Sequence, residues 1–386
     1  MIERLQELAR HPAALRARAR LAGAGEELVR ETIAITEIPA PTFSEERRAR
    51  YVAEQFLAAG LEDVTVDGVF NVTGVLPGAS GGPVVLLAAH LDTVFEGLDQ
   101  VKVRRVGQEI YAPGVRDNSA SVAALVVLAR ALVEAGVHTR QPLVLAATAG
   151  EEGLGDLRGM RALVDCFGPR LGYVVGVDGG LGGIVNRGIG SRRLKVTTRA
   201  RGGHSWVDFG APSAVHAMGK MIASISAIPV SKDPKTTFNV GMIQGGTSVN
   251  SIAAESTMLV DMRSVDPENL ARLEHEVRGI LLTVAAAEPV ELEIEVVGDR
   301  PAGSLPADHE LVQLVTAVQA GLDIDSRLST GSTDANIPLS RGIPAVTFGV
   351  TTGANNHAMS EYADIPPMVT GILQLFEVAL ALAGLQ

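Results

Sequence analysis

The chain has 386 residues and a formal net charge of −11, which argues against a nucleic-acid partner because phosphate binding depends on Lys and Arg. Hydrophobic residues make up 46% of the sequence, enough for a sizeable core in two domains or in one large domain with an insertion. Cys166 is the only cysteine, which excludes an internal disulfide and fits a reducing compartment.

No targeting segment or membrane span is evident in the sequence. The N-terminal residues lack the apolar region of a signal peptide. The most apolar segment, 120–133, is interrupted by Arg130 and is shorter than the ~20 residues that a transmembrane helix needs. We therefore expect a cytoplasmic protein with no membrane partner.

Helical spacing and breaker residues predict the first elements. Residues 1–35 are expected to form one or two helices, followed by a break at 38–42. Another helix is expected from Ser44 to about Gly60, and short strands are expected at 64–66 and 71–75.

Three apolar runs have the length and composition of strands buried on both faces, as in a parallel sheet: 84–89, 143–148 and 173–177. Ligand sites of open α/β sheets lie just beyond the carboxyl ends of the strands. Polar side chains follow each run: His90 and Asp92, then Glu151 and Glu152, then Asp178. In the same style, Asp117 precedes a helix expected at 120–135, and His357 follows a strand expected at 345–350.

The sequence pattern changes near residue 191. Residues 191–200 and 256–263 alternate as half-buried antiparallel strands do. Together with helices and strands between and after them, they give the order βαββαβ, which is typical of a ferredoxin-like sandwich. After residue 298 the sequence again predicts alternating helices and buried strands. We therefore predict an inserted domain at 191–299 within a discontinuous domain of 1–190 and 300–386.

The polar residues at the strand ends favour a metal site. Histidine and carboxylate side chains are ligands suited to Zn²⁺ and its neighbours. His90 and Asp92 are two residues apart, so in an extended chain their side chains point the same way and Asp92 can orient the imidazole. Taken alone, Asp117 is most simply a helix cap and Asp178 a turn residue; their shared position at one sheet edge is what favours the metal site.

These motifs resemble those of the M20 metallopeptidase family, which groups co-catalytic zinc aminopeptidases, carboxypeptidases and amidohydrolases. The resemblance covers nearly the whole chain, and the matching motifs are Ala-His-Leu-Asp-Thr-Val (89–94), Gly-Val-Arg-Asp-Asn-Ser (114–119), Thr-Ala-Gly-Glu-Glu-Gly (148–153), Gly-His-Ser (203–205), and His357 with Glu361. It implies an α/β fold with a mixed, largely parallel zinc-peptidase-like sheet flanked by helices, and an inserted ferredoxin-like domain that serves as a lid or for dimerisation.

The resemblance implies two divalent metal ions per subunit, zinc by preference, with Mn²⁺ or Co²⁺ suiting the same ligands. The implied roles at this centre are His90 and Asp178 for one metal, Glu152 and His357 for the other, Asp117 as the bridge, Asp92 as the residue that orients His90, and Glu151 as the general base. A cis peptide bond is often found after the bridging aspartate, here Asp117–Asn118.

The inserted domain is implied to contribute further residues. His204 would steady the oxyanion, often in the active site of the partner subunit, and we expect a homodimer that pairs through this domain. Asn250 and Arg263 would contact a substrate carboxylate or carbonyl. Thr333 belongs to a stretch, 330–334, that resembles another substrate loop, with an ordinary turn as the alternative.

The function predicted from these features is metal-dependent hydrolysis of amide bonds, by an aminopeptidase of short peptides in which Glu151 activates a metal-bridged water. Asp178 favours the aminopeptidase branch, because carboxypeptidase and deacylase relatives more often have Glu there, and residues 176–180 resemble the tripeptidase-like branch. The alternatives are an N-acyl-amino-acid deacylase or a carboxypeptidase of the same family. A non-catalytic binding protein is disfavoured, because the base, the bridge and every terminal ligand are present.

Overall fold

The computed structural model describes residues 2–386, with side-chain environments from residue 4 onward. The chain forms two compact units. The larger unit runs to Gly188 and resumes at Ser304, and the inserted unit extends from Ile189 to Gly303. That the larger unit is catalytic and the inserted unit a lid or dimerisation domain stays a prediction.

Within residues 2–188, the larger unit contains six α-helices and eight strands. They are α1 (Ile2–Leu8), α2 (Pro12–Ala22), α3 (Gly25–Thr36), α4 (Glu46–Ala59), β1 (Glu62–Val66), β2 (Val72–Leu76), β3 (Val84–His90), β4 (Arg104–Val106), β5 (Glu109–Tyr111), α5 (Ala120–Glu134), β6 (Leu143–Thr148), α6 (Arg158–Phe167), β7 (Leu171–Val177) and β8 (Gly183–Gly188). The N-terminal region is three helices rather than one or two, because Pro12 starts α2 and a short break with Gly23 separates α2 from α3.

The inserted unit follows the predicted order. Its elements are β9 (Gly190–Arg199), β10 (Gly203–His204), α7 (Ala214–Ser226), β11 (Thr236–Gly245), β12 (Ser251–Ile252), β13 (Glu255–Ser264), α8 (Pro267–Ala287) and β14 (Glu291–Arg300). The main sheet has the order β11-β13-β9-β14 with every neighbouring pair antiparallel. Alternate residues such as Val196 and Val260 are buried against the two helices, as the alternation predicted. The ferredoxin-like sandwich is confirmed.

The chain then returns to the larger unit. Its last elements are β15 (Gly303–Ser304), α9 (Glu310–Gly321), β16 (Arg327–Gly331), α10 (Asn336–Ser340), β17 (Ala345–Phe348), β18 (Gly353–Ala354), β19 (Tyr362–Asp364) and α11 (Pro367–Ala383). The sequence prediction placed a loop at 329–336, and its first residues instead form the end of β16, parallel to β8. Within residues 2–386, every helix is too short or too polar to cross a membrane.

The central sheet of the larger unit has the order β1-β2-β6-β3-β7-β17-β8-β15, with β16 also paired to β8. The neighbours β6, β3, β7 and β17 run parallel, and β1, β2 and β8 add antiparallel pairings. Alternate residues of β3 contribute to two separate hydrophobic clusters, Val85 and Leu87 to one and Val84 and Leu86 to the other. Helices therefore cover both faces, and the mixed, largely parallel α/β sheet is confirmed.

Candidate metal centre

The strand order brings the predicted polar residues to one edge of the sheet. His90 is opposite Thr148 in the β3–β6 pairing, so Glu151 and Glu152 follow directly beside it. Ala88 is opposite Gly176 in the β3–β7 pairing, which puts Asp178 next to His90 in register. The polar residues that follow β3, β6 and β7 therefore lie together at the carboxyl ends of these parallel strands, as predicted from the sequence.

The carboxylate of Asp117 lies between two histidine rings. Its Oδ1 is 3.0 Å from Nε2 of His90, and its Oδ2 is 3.2 Å from Nε2 of His357. The same His357 nitrogen is 2.9 Å from Oε1 of Glu152. Potential ligand atoms of His90, Asp117 and Glu152 all lie within 4.8 Å of one another. The potential metal-ligand atoms therefore form one continuous group, with the Asp117 carboxylate at its centre.

The main chain around Asp117 is held by a second acidic residue, Glu361. Its buried carboxylate accepts hydrogen bonds from the amides of Gly114 (2.9 Å), Arg116 (2.8 Å) and Asp117 (2.9 Å). The Asp117–Asn118 peptide bond is cis, as the resemblance implied. The alternative role of Asp117 as a helix cap is wrong, because Asp117 does not cap α5. Its carboxylate faces His90 and His357.

Asp92 contacts His90 mainly through its own main chain. Nδ1 of His90 is 3.0 Å from the Asp92 carbonyl oxygen and 3.7 Å from Oδ1 of the carboxylate. The carboxylate instead accepts the amides of Glu151 and Glu152, each at 2.9 Å, and the hydroxyl of Thr42 at 2.9 Å. Asp92 therefore fixes the imidazole and the two glutamates at the same time.

The electrostatics of the centre reflect a concentration of carboxylates. Burial disfavours a charged His90, but the hydrogen bond to Asp117 and the charges of Asp178 and Glu151 raise its pKa well above the usual range. Hydrogen bonds to Asp117 and Glu152 raise the pKa of His357 to about 10. Burial and the charge of Asp117 raise the pKa of Asp178 to about 6.

Asp117 shows the opposite shift. Burial opposes its ionisation, but the hydrogen bonds from His357 and His90 hold the pKa of this carboxyl far below its usual range. The cluster thus combines nitrogen and oxygen donors with an excess of negative charge that divalent cations compensate. The donor set fits a metal centre.

Three predicted site residues belong to the inserted unit. His204 is exposed in β10, its Nδ1 lies 3.2 Å from the amide nitrogen of Trp206, and its own amide donates to Asp208 at 2.8 Å. Asn250 is close to the His204 loop, because its carbonyl oxygen accepts the amide of Ser205 at 3.0 Å.

The last two predicted contacts with substrate are engaged within their own units. Nε of Arg263 donates to Asp261 at 2.7 Å. Thr333 is buried in the larger unit, with its hydroxyl 2.9 Å from that of Thr347 and its amide donating to Asn336 at 3.0 Å. The contacts of Thr333 are those of a structural turn, and its role toward substrate stays a prediction.

A sheet edge with this donor set, on this fold, defines a metal-dependent amide hydrolase. The chain belongs to peptidase family M20/M25/M40, whose family model matches residues 86–381. The family assignment made from the motifs is confirmed.

Known relatives include both peptidases and deacylases. The structure of aminopeptidase PepT from Bacillus cereus is 22% identical with a TM-score of 0.76, covering 93% of this chain and 99% of that one. A tripeptidase from Staphylococcus aureus is 21% identical with a TM-score of 0.79, covering 93% and 98%. In sequence, acetylornithine deacetylase of Myxococcus xanthus is 26% identical over 329 residues, which are 80% of this chain and 83% of that protein. At these identities the two structures establish the fold.

Proposed function

We propose that the protein is a two-metal aminopeptidase that acts on short peptides. The observation that carries this proposal is the Asp117 carboxylate, which presents one oxygen toward His90 and the other toward His357. A carboxylate placed between two sets of donors is the arrangement that a shared, bridging ligand needs. The remaining ligands would be Asp178 with His90, and Glu152 with His357.

The metal ions would supply the positive charge that polarises the scissile carbonyl and makes the attacking water more acidic. Zinc is our first choice, and Mn²⁺ or Co²⁺ suits the same mixture of imidazole and carboxylate. In this proposal the chain's own residues orient the substrate and move the protons.

Glu151 is the proposed general base. Glu151 is buried beside the proposed ligand Glu152, and the amides of both residues donate to the carboxylate of Asp92. The Glu151 carboxylate would take a proton from the attacking water and deliver it to the leaving amine. Two adjacent glutamates can take different roles, because Glu152 would share its charge with a metal ion and Glu151 would keep its charge for proton transfer.

His204 is proposed to donate a hydrogen bond to the developing oxyanion. Its Nδ1 accepts main-chain amides, from Trp206 at 3.2 Å and from Val207 at 3.4 Å, so a neutral imidazole carries its proton on Nε2. That nitrogen is then a donor, as stabilising an oxyanion requires. Asn250 and Arg263 are proposed to contact the substrate from the same unit.

A homodimer that pairs through the inserted unit is part of this proposal. Strand β11 is at the edge of its sheet, and Met242 and Ile243 on it are about half exposed. An unpaired edge with apolar side chains favours pairing with another chain. Light scattering of the purified protein at micromolar concentration is expected to give twice the chain mass, and a monomer would contradict this part of the proposal.

Asp178 is the residue that bears on the substrate class. Aspartate at this position favours an aminopeptidase, and the tripeptidase-like sequence at 176–180 points the same way. The acetylornithine deacetylase relative keeps a second candidate open, removal of an acyl group from an N-acyl amino acid; a carboxypeptidase is the third. The metal chemistry is common to all three, so only the substrate separates them.

One tripeptide in three forms separates the candidates. Free, N-acetylated and C-amidated Leu-Gly-Gly are each incubated with zinc- or manganese-loaded protein, with a chelator control, and the products are identified by mass. We expect the free and amidated forms to lose their first residue while the acetylated form survives. Cleavage of the acetylated form, at the acetyl group or from its C-terminal end, would contradict the aminopeptidase assignment.

A further inference from the structure

Four successive main-chain amides, those of residues 149–152, each donate a hydrogen bond to a side-chain oxygen from a distant part of the chain. The acceptors are Asn71 Oδ1 for Ala149 (3.0 Å), Glu45 Oε1 for Gly150 (3.1 Å), Asp92 Oδ1 for Glu151 (2.9 Å) and Asp92 Oδ2 for Glu152 (2.9 Å). We call Asn71, Glu45 and Asp92 the anchor residues. The stretch they hold contains the proposed base and a proposed ligand.

The anchor residues are completely buried, so bulk water does not compete with them as acceptors in the folded protein. Glu45, Asn71 and Asp92 have exposures of 0%, 1% and 0%. A buried amide that loses its acceptor keeps the full cost of desolvation, so removal of an anchor favours movement of the 149–152 main chain. The anchor residues thus supply an acceptor for each of the four amides in this stretch.

Glu45 also holds the end of the β6–α6 loop, which contains residues 149–157. Its Oε1 accepts not only the Gly150 amide but also Nη2 of Arg158 at 2.6 Å and the amide of Phe43 at 3.1 Å. Arg158 is the first residue of α6, directly after the loop. One buried oxygen therefore connects the segment before α4, the loop and the start of α6.

Gly150 fits closely against this arrangement. Its φ is +69°, and a Cβ there would lie 2.0 Å from Nη1 of Arg158. Asn71 connects the loop to α6, because its Oδ1 accepts the Ala149 amide while its Nδ2 donates to the carbonyl of Gly159 at 3.0 Å. A side chain at Gly150 would collide with that of Arg158, and the amides of Ala149 and Gly150 are held by Asn71 and Glu45.

We propose that Glu45 and Asn71 are positioning residues that set the orientation of Glu151 and Glu152. The inference rests on the proposed function in one respect, the role of Glu151 as base. Proton transfer requires the base to lie within hydrogen-bond reach of the proton that it takes, so a small displacement of the loop lowers turnover. Neither residue needs to touch the substrate.

The test compares Glu45→Ala and Asn71→Ala with the wild-type protein and with two controls. Glu31→Gln removes a charge from another buried carboxylate of the same unit, which pairs with Arg130 and accepts the hydroxyl of Tyr51. Glu46→Gln changes the exposed neighbour of Glu45. Hydrogen–deuterium exchange is measured for a peptide that contains 149–152, with and without zinc, and kcat and KM are measured with Leu-Gly-Gly.

We expect each anchor variant to raise exchange in this peptide by about tenfold, since a lost hydrogen bond of typical strength corresponds to that factor. We expect kcat to fall by about 10–100-fold with little change in KM, as for residues that orient a catalytic group. Glu45→Gln keeps an oxygen for the Gly150 amide and should recover most of the lost turnover. Both controls should leave exchange in the peptide and kcat unchanged, even where Glu31→Gln lowers Tm.

Three results would overturn the proposal: unchanged exchange at 149–152 in the anchor variants, increased exchange with wild-type kcat, or an equal loss of kcat in Glu31→Gln. If Glu45→Ala fails to fold, Asn71→Ala provides the same test at the Ala149 amide. A wild-type protein that leaves Leu-Gly-Gly intact contradicts the proposed function; the exchange rates still test the anchoring, because they need no substrate.

Discussion

The carboxylate of Asp92 accepts hydrogen bonds from the main-chain amides of Glu151 and Glu152, one to each oxygen at 2.9 Å. Asp92, which was expected to orient His90, therefore also holds the main chain that carries the proposed base and a proposed ligand. Asp92 is fully buried, and Oδ2 also accepts the hydroxyl of Thr42.

Replacement of Asp92 by Asn tests this double role. An amide side chain has one acceptor oxygen, so Asp92→Asn leaves one of the two glutamate amides facing an NH₂ group. We expect kcat to fall by about 10–100-fold, the usual effect of changing a residue that orients metal ligands. Thr42→Val, which removes only the hydroxyl that donates to Asp92, is the matched control. Equal kcat values for Asp92→Asn and wild type would show that the second oxygen is dispensable.

Replacement of Glu151 separates proton transfer from metal binding. Glu151→Gln keeps the shape of the side chain and removes its basicity, so kcat should fall by about 10²–10⁴-fold. Metal content, measured by elemental analysis after dialysis, should stay at the wild-type value. Glu152→Gln is the contrast, because it should lower metal content as well. An active Glu151→Gln variant would exclude Glu151 as the base.

Glu361 is expected to stabilise the main chain at 114–117 through three hydrogen bonds. In Glu361→Gln, one of the three main-chain amides that the carboxylate accepts would face a donor instead of an acceptor. A buried amide left unsatisfied costs about 1–3 kcal/mol in the free energy of unfolding. Denaturant unfolding of the metal-free protein measures this cost. A loss below the lower figure, with unchanged zinc affinity, would show that Glu361 does not hold the bridging residue.

The stability of the metal-free protein should depend on pH through His357. Its pKa is raised to about 10 by hydrogen bonds to Asp117 and Glu152, so the folded state holds this proton more tightly than the unfolded state does. The stabilisation is therefore complete below the unfolded pKa of about 6.5 and is lost as pH rises through about 10.

His357→Gln isolates this contribution. The difference in unfolding free energy between wild type and variant should shrink as pH rises from 7 to 10, as measured by denaturant titration without metal. Zinc binding should release protons for the same reason, and its affinity should rise with pH. A stability difference that grows with pH would have the wrong sign for the assigned contacts.

The sequence predicted the parts of the site that depend on side-chain type and strand order. His90, Glu152 and Asp178 follow buried strands, and parallel pairing brings the ends of those strands together whatever the details of the loops. The alternation in the inserted unit likewise predicted its sheet, because buried and exposed positions differ in composition.

The hydrogen bonds to the main chain could not be predicted in this way. Glu361 and Glu45 bind amides that are distant in sequence. Because nearly every residue has the same main-chain amide, the sequence does not show which amides a given carboxylate binds. The sequence at 44–46 indicates only the start of a helix, and Glu361 is recognisable only as part of a motif. The strand at 327–331 was missed because its pairing with β8 compensates for a polar, exposed sequence.

Metal stoichiometry tests the central claim most directly. Metal-free protein is titrated with Zn²⁺ by calorimetry while hydrolysis of Leu-Gly-Gly is followed in parallel, in the wild type and in Asp117→Ala. We predict two zinc ions per wild-type chain, activity that appears with their binding, and loss of both high-affinity binding and activity in Asp117→Ala. Full binding and turnover in Asp117→Ala, or wild-type hydrolysis that survives removal of all metal, would contradict a two-metal centre bridged by Asp117.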